Sequence, residues 1–250
     1  MVIVRPLRAR LRRVALACAA IVLAIAAVGL ALACWAGFFA RQPISFYAGK
    51  ARSPLAIVYF SGDMGLRMGI ATAVVPAMSR LQIPVLGVNS PSAFATHRTR
   101  AEVDALVAGA VRETIARTGA QRIVLMGQSF GADMVGTGVA ALPQDLRSRV
   151  AAVVLVVPGR DAYFRADPTG FAYRGPADSN MVETAGSVTW TKLICIYGVN
   201  EEASLCPALP AHFGQVIGLP GGHFLHHDDK ALIVTILSAL APLIPQGATS

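Results

Sequence analysis

The sequence predicts an α/β protein with a mostly parallel, doubly wound sheet, preceded by a single N-terminal membrane-spanning helix. Three observations carry this prediction. Short, continuous apolar runs recur between residues 55 and 219, as strands buried on both faces require. Stretches of helical spacing alternate with them, the order of a parallel sheet covered on both sides. An uncharged stretch of 27 residues, 14–40, stands before them all.

That first stretch exceeds the roughly 20 apolar residues needed to cross a hydrocarbon core. Arg5, Arg8, Arg10, Arg12 and Arg13 precede it, and no Asp or Glu occurs before residue 41. This asymmetry favours a cytoplasmic N-terminus and places the rest of the chain outside a bacterial inner membrane, in the periplasm. Residues 1–40 are thus read as basic N-terminus and anchor. A secretory signal cut near Ala31 and Ala33, leaving a soluble periplasmic body, and a lipidated Cys34 are the alternatives.

The charge balance changes once the anchor is set aside. The chain has a formal net charge of +8, but the five N-terminal arginines leave 17 basic and 14 acidic residues behind them. No basic run or aromatic-interleaved stripe follows Arg41, so nucleic-acid binding is not expected.

Residues 41–54 read as a linker and lead-in strand, and 55–245 as the catalytic domain. Strands are expected at 55–60, 84–88, 122–126, 151–157, 192–197 and 215–219, with helices at 67–80, 99–118, 130–141 and 228–243. Residues 160–190 are too long for an ordinary connection. They hold Tyr163, Phe164, Phe171, Tyr173 and Trp190, which suits either a substrate-contacting excursion or a surface loop.

The chemistry centres on Gly127-Gln128-Ser129-Phe130-Gly131, which follows an apolar strand and opens a helical stretch. That is the context of a nucleophile elbow, and it narrows the fold to the α/β-hydrolase type. Side chains at either glycine would collide with the neighbouring strand and helix at so sharp a turn. A serine nucleophile needs a base, and the base a partner, in the chain order serine, acid, histidine. His97 precedes Ser129 and His212 precedes the final strand, whereas His223 ends a glycine-rich loop after it. His223 is the expected base, with His226 and His227 as fallbacks. Glu201, three residues beyond Gly198 at the end of a strand, is the expected acid, with Glu202 as its alternative.

The expected oxyanion hole combines the backbone N–H of Phe130 with that of Gly62 or Asp63. Asp63 and Asp133 are also candidate contacts for a cationic substrate, and Asp133 reads equally as a structural hydrogen-bonding partner. Cys195 and Cys206 are the two cysteines of the body. An oxidising compartment would let them bridge around the loop that carries both glutamates, whereas Cys195 alone would read as a small buried residue. No metal site is expected, His226-His227-Asp228-Asp229 reading as a solvated loop, and no cofactor.

Phe60-Ser61-Gly62-Asp63, the segment Gly127 to Asp133, Cys195-Ile196-Tyr197-Gly198, Cys206-Pro207 and Leu219-Pro220-Gly221-Gly222-His223 together resemble the VirJ/AcvB family of bacterial virulence-associated periplasmic proteins. The resemblance covers most of residues 55–240. It implies an α/β-hydrolase fold and hydrolysis of aminoacylated phosphatidylglycerol, chiefly lysyl-phosphatidylglycerol, a membrane phospholipid at the outer face of the inner membrane. By motif, Ser129 would be the nucleophile and His223 the base. Met64-Gly65-Leu66 stands where the family usually has Gly-Gly-Trp, and Asn89-Ser90-Pro91 lacks a usual aromatic pair; both changes bear on substrate before reaction class. The other readings are an ester or lipid hydrolase with the same three residues and a non-catalytic, secretion-associated protein of the same fold.

Overall fold

The computed structural model describes residues 4–49, 53–210 and 213–244. His212, residues 50–52 of the expected lead-in and the last residue of the expected catalytic domain lie outside the described residues. The chain opens with helix α1 (Val4–Ala36) and strand β1 (Ile44–Tyr47), then β2 (Leu55–Phe60), α2 (Ala71–Arg80), β3 (Val85–Val88), α3 (Ser90–Ala93) and α4 (Arg100–Thr118). There follow β4 (Arg122–Gln128), α5 (Phe130–Gly138), α6 (Gln144–Arg147), β5 (Val150–Val156), β6 (Asp161–Ala162), β7 (Ser179–Asn180) and α7 (Met181–Thr184). The chain closes with β8 (Lys192–Gly198), β9 (Gly214–Leu219) and α8 (Asp229–Leu240).

Seven strands form one sheet in the order β1-β3-β2-β4-β5-β8-β9. All neighbours run parallel except β1, which pairs antiparallel with β3. The strand β2 shows why its sequence is apolar throughout. Ala56, Val58 and Phe60 face a core shared with α4, α5 and α7, whereas Leu55, Ile57 and Tyr59 face α2 and α8. Both faces are covered, so neither set can be polar.

Local signals set several boundaries. Thr99 and Glu102 form a reciprocal capping box at the start of α4, and Gly119 ends that helix in the left-handed conformation. The helix expected from residue 67 begins only at Ala71, because residues 63–70 are spent on turns that line a cleft. The run at 215–219 is also not a strand buried on both faces. It lies in β9 at the sheet edge, where Ile217 and Leu219 pack on the core but Val216 remains 44% exposed.

Residues 160–190 are an ordered excursion. The short β6–β7 ladder and α7 hold them, and Phe164, Ala166 and Met181 are buried in the core on the α4/α5 side. Asp178 accepts the N–H of Phe164 at 2.8 Å and contacts His97 Nε2 at 2.9 Å, tying the excursion to the loop before α4. Among the described residues, Ala9–Ala36 in α1 is the one helix long and apolar enough to cross a membrane. Its large side chains meet little protein, Leu23 being 70% exposed.

Candidate active site

The chain turns from β2 to β3 on one side of the sheet and from β4 to β5 on the other. The ends of β2 and β4 therefore flank the crevice where ligands of such sheets bind. Gly62 follows β2 and Ser129 follows β4. A Cβ on Gly62 would sit 3.6 Å from Ser129 Cβ, so the two loops touch.

Ser129 occupies φ 51° and ψ −125°, a conformation costly for a side-chain-bearing residue. Its N–H donates to Val156 O at 2.8 Å, and its carbonyl accepts from Ala132 N–H at 2.7 Å. The flanking glycines leave room for this turn. A Cβ on Gly127 would lie 2.3 Å from Gly131 O, and one on Gly131 2.3 Å from Phe60 O. The result projects the Ser129 hydroxyl above the sheet at the N-terminus of α5.

His223 Nε2 lies 2.8 Å from Ser129 Oγ, and His223 Nδ1 lies 2.5 Å from Glu201 Oε1. With the proton on Nδ1 the ring donates to Glu201, and Nε2 accepts from the serine hydroxyl. The loops carrying His223 and Glu201 are laced together: Val199 N–H donates to Leu219 O and Asn200 N–H to Gly221 O, each at 2.9 Å. They approach so closely that a Cβ on Gly198 would lie 2.1 Å from Gly222 O. Cys195 and Cys206 are bridged, with Cα atoms 5.5 Å apart, closing the loop that bears Glu201. Glu201 Oε2 is buried without a hydrogen-bond partner, so only one carboxylate oxygen is engaged.

The alternatives sit elsewhere. Glu202, His226 and His227 are exposed. His226 packs against Gly221, and His227 stacks on Phe224 with ring centroids 5.6 Å apart at the cleft edge. The Phe130 N–H lies in the first turn of α5, where no intrahelical carbonyl can accept it. Phe130, Gly62 and Asp63 line the cleft together with Ser129.

Asp133 Oδ1 accepts the N–H of Gly159 at 2.8 Å, which fastens α5 to the loop after β5. Burial drives its carboxyl well above the usual carboxylate range, against the lowering effect of that bond. Asp63 is also raised by burial, while the hydrogen bond from Tyr173 and the nearby His223 pull it down. Tyr173 lies in the excursion, and its ring stacks on Phe130 at 6.4 Å. Nothing in its sequence spacing announces it as part of the site; only the aromatic richness of the excursion hinted at such a contact.

These groups surround a cleft of about 810 Å³ lined by Asp63, Asp133, Asp161, Glu201 and Asp229, with no Lys or Arg among the described residues of the lining. Among the described residues no three His, Cys, Asp or Glu side chains are grouped to hold a metal ion. The arrangement is suited to deprotonating a serine beside an electrophile and to attracting a cation.

The model of a family described as bacterial virulence protein (VirJ) matches residues 54–243. The chain belongs to the VirJ family. No curated protein matches this VirJ-family chain in sequence. Among solved structures, Est1E from Butyrivibrio proteoclasticus aligns with TM-score 0.56 and 13% identity, over 79% of this chain and 94% of its own. A Xanthomonas campestris protein, XC6422, described as an α/β serine hydrolase without a lid, aligns with TM-score 0.55 and 16% identity over 81% and 89%. Carboxylesterase CesB from Bacillus subtilis gives TM-score 0.54 and 14% identity over 80% and 88%. At these identities the likeness is one of fold, and the VirJ-family body has the α/β-hydrolase fold.

Proposed function

We propose that this VirJ-family chain is a serine hydrolase that cleaves the aminoacyl ester of lysyl-phosphatidylglycerol. In this reading α1 is an inner-membrane anchor and the body faces the periplasm. The observation that carries the reading is the hydrogen-bonded series Ser129–His223–Glu201 at the floor of an acid-lined cleft.

Ser129 Oγ attacks the ester carbonyl as His223 Nε2 takes its proton, and Glu201 stabilises the resulting imidazolium. The N–H groups of Phe130 and of Gly62 or Asp63 receive the developing oxyanion. Collapse expels the phosphatidylglycerol alkoxide, which takes the proton from His223 and leaves a lysyl ester on Ser129. Water, deprotonated by the same imidazole, then releases lysine. The lysyl group carries two ammonium groups, and a cleft lined by acidic side chains, with Asp63, Asp161 and Asp229 among them, in a net-basic chain favours such an acyl group over a neutral one. The arginine-flanked helix and the bridge between Cys195 and Cys206 support the periplasmic placement.

Ser129→Ala in the full chain, assayed on lysyl-phosphatidylglycerol in detergent micelles, should lower turnover by about 10⁶-fold, as removal of a serine nucleophile does elsewhere. Retained turnover overturns the reading. Turnover of simple p-nitrophenyl esters without the lipid points to a different ester substrate, and failure of a fluorophosphonate to label Ser129 points to a non-catalytic, secretion-associated role.

A further inference from the structure

The antiparallel pairing of β1 determines where the apolar helix meets the body. Ile44, the first residue of β1, lies beside Val88, the last residue of β3. The chain leaving α1 is thereby delivered to the end of the sheet at which Ser129 follows β4. Had β1 been parallel to β3, the helix would have met the opposite end.

The junction is a specific contact. Asn89 Nδ2 donates to Gly37 O at 3.1 Å, and Asn89 Oδ1 accepts from Leu66 N–H at 3.1 Å. Asn89 N–H donates to Pro43 O, and Arg67 Nη1 to Trp35 O at 3.4 Å. Ala36 is buried, and its carbonyl would lie 2.5 Å from a Cβ on Gly65. Met64 and Gly65 also line the cleft. One turn therefore touches the end of the membrane-length helix on one side and opens towards Ser129 on the other.

Exposed apolar side chains gather at this end. Met64 and Phe224 line the cleft, Phe171 is two residues from cleft-lining Tyr173, and Phe39 follows the helix exit. Phe171 and Phe224 are 65% and 66% exposed. Exposed apolar residues scattered singly need no explanation, but several around one opening mark an interaction surface. Arg174 sits 4.5 Å over the Phe171 ring, and Arg67 is exposed at the helix junction. Aromatic rings with interspersed arginines suit the headgroup zone of an anionic bilayer.

We propose that the body docks on the membrane surface through Phe39, Met64, Phe171 and Phe224, so that the cleft opens at the plane from which α1 emerges. The partner is a lipid surface containing anionic headgroups, and Arg67 and Arg174 face those headgroups. This rests on α1 being a retained membrane helix, as proposed above, and is independent of whether Ser129 is a nucleophile.

The test uses the full chain with Cys18→Ser and Cys34→Ser, reconstituted into phosphatidylethanolamine/phosphatidylglycerol vesicles. A thiol-reactive fluorophore is placed at Phe171→Cys, at Phe224→Cys or, at the opposite end of the sheet, at Ser148→Cys. Nitroxide-bearing phospholipid should quench both rim labels severalfold more than the Ser148→Cys label, and aqueous iodide should show the reverse order. Equal quenching at all three positions overturns the proposal. Adding Ser129→Ala separates the two readings: docking requires the quenching pattern to persist in that variant, whereas the hydrolase reading requires turnover to vanish. Loss of turnover with equal quenching sinks docking alone; the expected quenching in the labelled chains, with a wild-type chain that hydrolyses nothing, sinks the hydrolase reading alone.

Discussion

The Tyr173 hydroxyl donates to Asp63 Oδ2 at 3.1 Å, joining the excursion between β5 and β8 to the turn after β2. The same hydroxyl accepts the N–H of Asp167 at 2.9 Å, so the excursion braces its own tip against the cleft wall. Burial raises the Tyr173 hydroxyl's pKa and the adjacent Asp63 raises it further, which keeps it protonated as a donor.

Tyr173→Phe should therefore shift the acid limb of kcat/KM. If Asp63 holds the ammonium of the proposed substrate, binding requires it ionised, and burial already moves its protonation to higher pH than that of an ordinary carboxylate. Removing the Tyr173 donor withdraws a contact that favours the charged form, so the acid limb should move upward in pH. Stability should fall by about 1 kcal/mol, below the range for a fully buried bond to a charged group because both partners face the cleft. A pH–rate profile and a urea melt check both; an unmoved limb dissociates Asp63 from substrate binding.

Asp133→Asn separates stability from binding. The folded chain holds the Asp133 proton more tightly than the unfolded chain does, because burial raises the carboxyl well above its ordinary value. The stability this contributes is fully present below the ordinary carboxylate pKa and is lost as pH rises through the raised one. Asn cannot ionise and can still accept from Gly159 N–H through its amide oxygen. The variant's Tm should therefore exceed the wild type's by a margin that grows with pH across that window, while KM for a cationic acyl group stays close to the wild type's, because the amide replaces a carboxyl that burial holds in its neutral form. A margin independent of pH would contradict the buried carboxyl as its cause.

Much of this architecture is legible in the sequence because its causes are local. The strand–turn–helix around Ser129 is announced by Gly127 and Gly131, whose missing side chains the backbone demands. Continuous apolar runs mark the central strands because both faces are covered. The same run misleads at β9, since Val216 has the hydrophobicity of a core residue but sits at an edge without a neighbour on its far side. The Tyr173–Asp63 bond has no local trace, because its partners are 110 residues apart and one lies in an aperiodic excursion. Glu201 and Glu202 are adjacent and chemically alike, and only the turn after Gly198 decides which one points inward.

That last distinction is testable by substitution. Glu201 contacts His223 Nδ1, whereas Glu202 is exposed. Glu201→Gln should lower kcat by about 10⁴-fold, the loss seen when an amide replaces the triad acid and imposes the wrong imidazole tautomer. Glu202→Gln should leave kcat unchanged. Equal, small effects from both would remove the acid from the proposed mechanism.

The bridge between Cys195 and Cys206 should act on both stability and turnover, because it closes a short loop with Glu201 inside it. Cys195 is held by β8 in the core, so the bridge secures Cys206 and the segment before it to the sheet. Removing it frees the unfolded chain as well as the folded loop; for a loop of this length the chain-entropy cost is about 3 kcal/mol. Cys206→Ser should lower stability by about that amount. It should also reduce kcat more than it raises KM, because the freed element positions His223 through Glu201 and is not the carboxylate proposed to hold the acyl group. Reduction of the wild-type chain with dithiothreitol should reproduce the kcat loss and reoxidation should restore it. Loss of stability with unchanged kcat would assign the bridge a purely structural role.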